Sequence, residues 1–372
     1  FGRILNEAGL RAPEYGMAFS FEEAVAVATR IKYPVLVRPS FVLGGRGMEI
    51  VYDDESLKSF IVKATEITPN HPVLIDRFLD DAIEIDVDAL FDGETLYLAG
   101  VMEHIEEAGI HSGDSACVLP SMSLTPTQLI EIRDATEKIA RGVGVRGLIN
   151  IQYAVAENQL YVLEANPRAS RTVPYVSKAT GVQLAKAAAR ICLGATLAQL
   201  RELEMLPNLE VGSAHGISVK EAVLPWNRFR RTDGKGVDSV LGPEMRSTGE
   251  VMGIADNFGA AYAKSQIASF GPLPQSGSVF LSLSEKDKSA ALPSAKELFA
   301  MGFKIYATSG THTYLAANGV ASTSVRKHSE DERNANDESA VEIITSGKVD
   351  LIINTPLGRG TRQDGWLIRT AA

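Results

Sequence analysis

A predicted β-hairpin at residues 147–171 constrains the fold of this chain more than any other feature. Its first half alternates apolar and polar side chains, which is typical of a half-buried strand with one polar face. The apolar face holds Ile149, Ile151, Tyr153 and Val155. Residues 156–159 have the composition of a turn, and residues 160–163 form a second apolar strand. We therefore expect a two-stranded ribbon here.

The short turn places the polar residues of the two strands side by side. Gln152, Glu164 and Asn166 would then present three hard oxygen ligands beside Arg168 and Arg171. This set suits a polyphosphate bound with magnesium, because the metal bridges phosphate oxygens and arginine neutralises the remaining charge. From spacing alone, a solvated hairpin end with a surface salt bridge is an equally good interpretation.

Length and charge exclude several protein classes. The chain has 372 residues, which predicts two or three domains, and 45% hydrophobic with 22% charged residues is ordinary for a soluble globular protein. The net charge of −9 disfavours nucleic-acid binding, which needs a broad basic surface. Cys117 and Cys192 lie far apart, so we expect neither a disulfide framework nor a zinc site.

The ends of the chain bear on its location and completeness. No apolar run approaches the roughly 20 residues of a membrane span, and the first residues lack a signal-peptide pattern. We therefore expect a cytoplasmic protein. The sequence opens inside a helical pattern without a start methionine and stops without a closing element, which indicates a piece of a longer chain.

A glycine turn follows the strand that ends on Arg38. The turn, residues 44–47, reads Gly-Gly-Arg-Gly. Successive amide groups of such a turn can cradle phosphate oxygens, and Arg38 would add positive charge. A tight turn without a ligand is the simpler interpretation of this turn by itself.

Two strands follow at residues 72–90. The first begins Val73-Leu74-Ile75, which could pack as an apolar hinge against an adenine ring. The second carries Glu84, Asp86 and Asp88 on one face. Three acids on one strand face usually form a wet surface, although Glu84 could bind ribose hydroxyls. The loop at residues 106–120 is too polar for a core, and its His111 is either a local loop histidine or a ligand contact.

The rest of the chain changes pattern twice. Residues 197–258 are interpreted as a small connecting region, with a basic surface run at 228–231. Beyond residue 275, strands alternate with helices, which predicts a small parallel α/β sheet. Thr308 to Thr311 and Asn354-Thr355 lie at two strand ends, and Lys327 follows a third. Such ends can hold an anion, although unoccupied turns explain them equally well.

Five long motifs, in order, resemble the C-terminal half of the large subunit of carbamoyl-phosphate synthetase. They are VRPSFVLGGRGMEIVY, MEHIEEAGIHSGDSACVLP, RGLINIQYAV, LEANPRASRTVPYVSKATGV and LGPEMRSTGEVMG. The resemblance implies an α+β ATP-grasp domain at residues 1–195, a connecting region at 196–258, and a C-terminal α/β domain at 259–372. That last domain would be Rossmann-like and methylglyoxal-synthase-like, and both outer domains would be truncated.

The resemblance also implies ligand contacts. The family's ATP contacts fall on Arg38, Gly44, Gly45, Arg77, Leu79, Glu84, Gly109, Ile110, His111, Ser112, Gln152 and Glu164. Its metal ligands, for two Mg²⁺ or Mn²⁺ ions, fall on Gln152, Glu164 and Asn166, and K⁺ is a further candidate ion. Its catalytic arginines, near the transferred phosphoryl group, fall on Arg168 and Arg171.

The activity implied is the phosphorylation of carbamate by ATP, feeding pyrimidine and arginine biosynthesis. The implied partners are the N-terminal half of the same subunit and a glutaminase small subunit, in an oligomer. One alternative is another ATP-grasp ligase that joins a carboxylate and an amine. A second is a regulatory module that binds nucleotide without turning it over.

Effector sites are implied as well. A nucleotide monophosphate would contact Lys288, Thr308, Thr311, Lys327 and Asn354. A second pocket, for ornithine, would involve Glu106, Asp114 and Glu221. The chain departs from the family at Pro356, where a threonine is expected, and between Lys327 and Asn354, which is lengthened. Ser284-Glu285 replace the histidine of true methylglyoxal synthases, so we expect no catalysis in this domain.

Overall fold

The computed structural model describes residues 1–42, 44–67, 71–208, 216–228, 239–327, 338–355, 365 and 367–372. The chain divides into two compact units. The first comprises Phe1–Leu224 and Leu241–Gly271, and the second Pro225–Val240 and Pro272–Ala372. Among the helices in these described ranges, none is long and apolar enough to cross a bilayer.

The first unit opens with a four-stranded antiparallel sheet. Its elements are α1 (Gly2–Ala8), β1 (Tyr15–Ala18), α2 (Phe21–Ile31), β2 (Val35–Arg38), β3 (Glu49–Val51), α3 (Asp54–Ile67) and β4 (Val73–Arg77). The strand order is β1-β4-β2-β3. Helix α2 begins where the Ser20 side chain accepts from the Glu23 amide, and its apolar stripe, with that of α3, covers one face of this sheet. The other face carries Arg38 and Leu74, which line a cleft.

A seven-stranded antiparallel sheet forms the rest of this unit. Its elements are β5 (Ile83–Phe91), β6 (Leu96–His104), β7 (Cys117–Leu119), α4 (Pro126–Val143), β8 (Gly147–Ala156), β9 (Gln159–Asn166), α5 (Val173–Thr180), α6 (Leu184–Cys192), α7 (Leu197–Glu202), β10 (Ile217–Val223), β11 (Gly249–Ala255) and α8 (Phe258–Phe270). The strand order is β11-β10-β7-β6-β5-β8-β9. Helix α4 packs on one face, and α5, α6 and α7 pack on the other.

The predicted hairpin is confirmed as β8–β9. Glu157 and Asn158 form its turn with φ of 51° and 59°, the left-handed backbone that a tight two-residue turn requires. The apolar side chains of β8 enter the core with α4, as the period-two pattern predicted. Gln152 pairs with Glu164 across the ribbon, so the expected neighbourhood of these two positions is confirmed.

Strands β10 and β11 come from the predicted connecting region. Strand β10 pairs with β7, Ser218 lying opposite Leu119, and β11 pairs with β10, so both continue the seven-stranded sheet. The domain boundaries at residues 195 and 258 remain a prediction. Most of the basic run, residues 229–231, lies outside the described residues.

The second unit contains a parallel sheet of four described strands. Its elements are β12 (Ser278–Leu283), α9 (Lys288–Ala300), β13 (Lys304–Thr308), α10 (Ser309–Ala317), β14 (Thr323–Val325), α11 (Ala340–Thr345) and β15 (Leu351–Thr355). The strand order is β14-β13-β12-β15. All pairings are parallel, which confirms the predicted sheet, and apolar clusters lie on both of its faces.

Candidate active site

A cleft of about 940 Å³ lies in the first unit. The four-stranded sheet contributes one wall, and the β8–β9 hairpin contributes another. Every residue expected to bind ATP, metal or the transferred phosphoryl group lines it: Arg38, Gly44, Gly45, Arg77, Leu79, Glu84, Gly109, Ile110, His111, Ser112, Gln152, Glu164, Asn166, Arg168 and Arg171. The fold thus gathers residues spread over more than a hundred positions, while their individual roles remain predictions.

The hairpin presents its polar face to this cleft. Gln152 Nε2 donates to Ser112 Oγ at 2.5 Å, and Asn166 Nδ2 donates to Glu164 Oε1 at 2.7 Å. Because both amide nitrogens are engaged by protein, the amide oxygens are the atoms left to face a ligand. Together with the Glu164 carboxylate they form a set of hard oxygen donors, which suits a magnesium-like ion.

The glycine turn at residues 44–47, called here the glycine loop, lies against the segment at residues 241–247. Gly44 and Gly45 have φ of 62° and 69°, and the Met245 amide donates to the Gly44 carbonyl at 3.0 Å. A Cβ on Gly45 would lie 1.8 Å from the Pro243 carbonyl oxygen. Glycine is therefore required here by close backbone approach as well as by the left-handed conformation.

The wall of the cleft that β4 contributes differs from expectation in one respect. Leu74 lines the cleft, but Val73 and Ile75 are buried in the core beneath the four-stranded sheet. The expectation of an apolar hinge built from all three residues is wrong, because alternate side chains of a strand face opposite ways. Arg38 Nε lies 3.1 Å from Asp76 Oδ2, and burial nevertheless raises the pKa of Asp76.

The loop after β6 is a structured wall of the cleft. The His111 amide donates to the Gly242 carbonyl at 2.8 Å, and the Gly113 amide donates to His111 Nδ1 at 3.0 Å. Burial lowers the pKa of His111, and an accepting Nδ1 places the ring proton on Nε2. The expectation that this loop is too polar for a core is wrong. Asp114 is fully buried, because its carboxylate accepts backbone amides of the 241–247 segment.

Asp86 and Asp88 on β5 are buried, so the expectation that this strand face is exposed to solvent is wrong for both residues. His104 explains much of this, because its Nε2 lies 3.0 Å from Asp86 Oδ2 and its Nδ1 lies 3.4 Å from Glu84 Oε2. Burial alone would lower the pKa of His104, but Cys117, Asp86 and Glu84 raise it well above its usual value. The ring therefore fits an imidazolium held between two carboxylates. Glu84 Oε1 also accepts the Gly109 amide.

Two features of the cleft were missed by sequence reasoning. Lys220 on β10 is buried, lines the cleft and donates through Nζ to the Ser112 carbonyl at 3.1 Å. One sequence pattern could have indicated Lys220. Ser218 and Lys220 alternate with apolar residues, in a segment that we interpreted as a connecting region. Asn150 on β8 is also buried, and its Nδ2 lies 3.3 Å from Asp86 Oδ1 and 3.0 Å from Asp88 Oδ1.

The two arginines belong to a short loop at residues 167–172, called here the arginine loop. Both side chains are exposed. Arg168 Nη1 donates to the neighbouring Ala169 carbonyl at 3.1 Å. Arg171 Nη1 approaches Met245 Sδ and, at 3.3 Å, Ser247 Oγ. Their guanidinium groups thus remain accessible from the cleft.

The residues expected for an ornithine pocket have different hydrogen-bond partners. Burial and the neighbouring Glu106 raise the pKa of Glu221 to about 7, so these two carboxylates lie close enough to repel. The Glu106 carboxylate accepts the Ala116 amide, and Glu221 accepts from Gln266. Asp114 instead binds the 241–247 segment through both of its oxygens.

The second unit places its predicted effector residues near the carboxyl ends of parallel strands. Thr308 Oγ1 donates to Thr311 Oγ1 at 3.3 Å, and the Leu283 amide donates to the same oxygen at 3.0 Å. Lys288 is buried, and its Nζ lies 2.5 Å from Glu285 Oε2. Asn354 pairs in register with Ser282, and Lys327 follows β14. Pro356 and residues 328–337 lie outside the described residues.

Family comparisons match both parts of the chain. The family described as carbamoyl-phosphate synthase L chain, ATP binding domain, matches residues 1–200, and the MGS-like domain matches residues 290–372. The carbamoyl phosphate synthase large chain of Streptomyces avermitilis is 62% identical over 376 residues, and that of Mycobacterium tuberculosis is 57% identical over 379 residues. Each match covers 100% of this chain and 34% of the relative.

Solved structures share the fold at low identity. A biotin carboxylase from Campylobacter jejuni has a TM-score of 0.55 at 17% identity, over 72% of this chain and 64% of that one. The biotin carboxylase domain of 2-oxoglutarate carboxylase from Hydrogenobacter thermophilus has a TM-score of 0.53 at 19% identity, over 68% and 60%. These likenesses, with the family matches, confirm the expected ATP-grasp and methylglyoxal-synthase-like folds.

Proposed function

The chain belongs to the carbamoyl-phosphate synthase large-chain family, and on that premise we propose that it phosphorylates carbamate with ATP to give carbamoyl phosphate and ADP. Because the chain spans only 34% of the length of its curated relatives, the activity of those whole proteins is a proposal for it. The observation that supports the proposal most is the pairing of Gln152 with Glu164, which sets these oxygen donors and Asn166 in one cleft with two arginines.

The open end of the hairpin, away from its turn, would hold the divalent ions, Mg²⁺ or Mn²⁺. Gln152, Glu164 and Asn166 offer amide and carboxylate oxygens, which fit hard cations. When bound, such ions neutralise phosphate charge and orient the nucleotide. A further K⁺ site remains part of the proposal, without a residue assigned to it.

The protein's own groups would mainly bind, orient and neutralise. A carbamate oxygen forms the new bond to the γ-phosphorus while the bond to the bridging oxygen breaks, and that electron pair leaves with ADP. Arg168 and Arg171 would stabilise the charge spread over the transferred group. His111, carrying its proton on Nε2, is placed to donate a hydrogen bond, and Lys220 keeps its wall of the cleft in position.

Exclusion of water is part of the proposal. Carbamate decomposes quickly in water, so a covered cleft would protect it. The glycine loop, which already rests on the 241–247 segment, is the natural cover. The same contact would hold the loop in a defined position over bound nucleotide phosphates.

In the complete enzyme, we propose that this region works with an N-terminal half that activates bicarbonate and with a glutaminase small subunit. The product would serve pyrimidine and arginine biosynthesis in the cytoplasm, and the enzyme would form an oligomer. The second unit would bind a nucleotide monophosphate at Lys288, Thr308, Thr311, Lys327 and Asn354. An ornithine site would use Asp114 together with Glu106 and Glu221, and a ligand ammonium group would relieve the repulsion between the last two carboxylates.

The test is the reverse reaction, which isolates this half of the chemistry. The full-length gene product is mixed with MgADP and carbamoyl phosphate, and ATP is measured. We expect ATP to form, and chelation of the metal to stop it. ATP formation from other acyl phosphates but not from carbamoyl phosphate would favour a different carboxylate–amine ligase. Nucleotide binding without transfer in either direction would favour a regulatory module.

A further inference from the structure

We propose that Asp88 is a positioning residue that holds the arginine loop at the transferred phosphoryl group. The inference rests on the proposed function, because it assigns Arg168 and Arg171 to phosphoryl transfer. It adds a residue that touches neither substrate nor metal. Asp88 lies in the middle of β5 and is fully buried.

The carboxylate of Asp88 binds the loop on both sides of Arg171. Ser170 Oγ donates to Asp88 Oδ1 at 2.7 Å, and Thr172 Oγ1 donates to Asp88 Oδ2 at 2.6 Å. The two hydroxyls also lie 2.8 Å from one another. Hydrogen bonds from hydroxyls to a carboxylate are short and strong, so the loop is fixed to the sheet at two adjacent points.

At Thr172, the hydrogen bond to Asp88 replaces the usual N-cap hydrogen bond of a helix. This residue stands at the N-cap position of α5, where a threonine side chain normally accepts a backbone amide of the first turn. Its side chain makes no such bond, and its hydroxyl is directed to Asp88 instead. Helix α5 therefore lacks a side-chain N-cap hydrogen bond, and the loop gains a hydrogen bond that holds it to the sheet.

Asp88 is also tied to the metal-binding hairpin. Asn150 Nδ2 donates to Asp88 Oδ1 at 3.0 Å, and Asn150 pairs in register with Asn166. One buried carboxylate therefore connects the strand that carries the proposed metal ligand Gln152 with the loop that carries the arginines. Burial raises the pKa of Asp88 to about 6, against the opposing effect of these hydrogen bonds.

Little else fixes the arginine loop among the described residues. The Arg168 side chain donates within its own loop, and Arg171 donates to the side chains of Met245 and Ser247. Backbone bonds hold only the two ends of the described loop: the Arg168 amide donates to the Asn166 carbonyl, and the Val176 amide donates to the Thr172 carbonyl, each at 2.8 Å. Loss of the Asp88 anchor would thus shift the guanidinium groups, and a misplacement near 1 Å can cost about 10²-fold in rate.

The experiment compares two aspartates of one strand region in the full-length gene product. Asp88→Asn keeps the shape but removes the charge under the loop. Asp92→Asn is the matched control, since Asp92 is also buried but binds the amides of Glu94, Thr95 and Leu197 away from the cleft.

Two properties are measured for each variant: ATP formation from MgADP and carbamoyl phosphate, and thermal unfolding. We expect kcat to fall about 10- to 100-fold in Asp88→Asn with KM for MgADP unchanged. Asp92→Asn should lose thermal stability without losing kcat.

A second set of variants acts from the loop side, should Asp88→Asn not fold. Thr172→Val removes the hydroxyl and should lower kcat, whereas Thr172→Ser keeps it and should restore kcat. The role is overturned if folded Asp88→Asn keeps its kcat, if both aspartate variants lose kcat equally, or if Thr172→Val retains activity. Absence of ATP formation in the unsubstituted protein would instead overturn the proposed function itself.

Discussion

We propose that two regions of the molecule bind phosphate groups, and the side chains of the two regions are arranged differently. The cleft of the first unit uses charged side chains on antiparallel strands, and buried carboxylates beneath the sheet surface fix their neighbours. The edge of the second unit uses hydroxyls beside a helix start, fixed by backbone groups such as the Leu283 amide. Backbone dipoles suffice to bind an anion, whereas transfer of a phosphoryl group needs charges at defined points.

The largest effect is expected at the hairpin. Glu164→Gln removes the one charged donor of the proposed metal site, so turnover should fall by about 10³-fold or more, since several kcal/mol of charge stabilisation depend on it. The exposed position of Glu164 predicts an unchanged fold. ATP formation and circular dichroism provide the measurements.

Glu157→Gln is the matched control for that variant. Glu157 lies in the turn of the same hairpin and does not line the cleft. Its turnover should equal that of the unsubstituted protein. Undiminished turnover in Glu164→Gln would refute the metal assignment.

The next effect tests whether the glycine loop is truly seated on the 241–247 segment. Gly45→Ala would meet the Pro243 carbonyl at 1.8 Å, while a Cβ at Gly44 meets nothing nearer than Met245 at 3.9 Å. Both variants bear the left-handed strain of about 1–2 kcal/mol, and only Gly45→Ala adds the clash. We expect a clearly lower Tm and lower ATP formation for Gly45→Ala. Equal behaviour of the two variants would show that the contact does not form.

A smaller effect is expected at the second unit. Lys288→Met removes the buried ammonium beside the start of α10, so affinity for a nucleotide monophosphate should fall about 10-fold, the loss of roughly one charge-assisted hydrogen bond. Lys286→Met changes an exposed lysine two residues earlier and should leave affinity unaltered. Calorimetric titration measures both. Equal affinities in the two variants would remove Lys288 from the effector site.

The smallest effect is a pH dependence of stability from Glu221. Its pKa is raised from 4.5 to about 7 by burial and by Glu106, so the folded protein holds a proton that the unfolded chain releases. The stabilising contribution is present below about pH 4.5 and is lost as pH rises through 7. Glu221→Gln should therefore show a smaller fall in Tm between pH 6 and pH 8 than the unsubstituted protein. Parallel Tm curves for the two proteins would contradict the assignment.

The parts predicted from sequence are those set by local periodicity. Alternation in residues 149–155 and a short turn determine that Gln152 faces Glu164, and alternating strands and helices determine a parallel sheet beyond residue 275. Glycine spacing likewise located the loop at residues 44–47. In each case the signal and its structural consequence lie within a few dozen residues.

The parts that were missed depend on distant partners. Period two places Asp86 and Asp88 on one face, but whether that face is wet depends on His104, Asn150 and Thr172. Strand β10 joins the sheet by pairing with β7, about a hundred residues earlier, so no local pattern could predict that pairing. Contacts between residues distant in sequence, rather than local propensity, determine the burial of these acids and the pairing of β10.

A crystal structure of the protein with a non-hydrolysable ATP analogue and Mn²⁺ would test the proposed metal site directly, because anomalous scattering locates the manganese. We predict Mn²⁺ within coordination distance of the Gln152, Glu164 and Asn166 oxygens, with the terminal phosphate facing Arg168 and Arg171. Manganese bound elsewhere, or phosphates directed away from this hairpin, would contradict the proposed site of phosphoryl transfer.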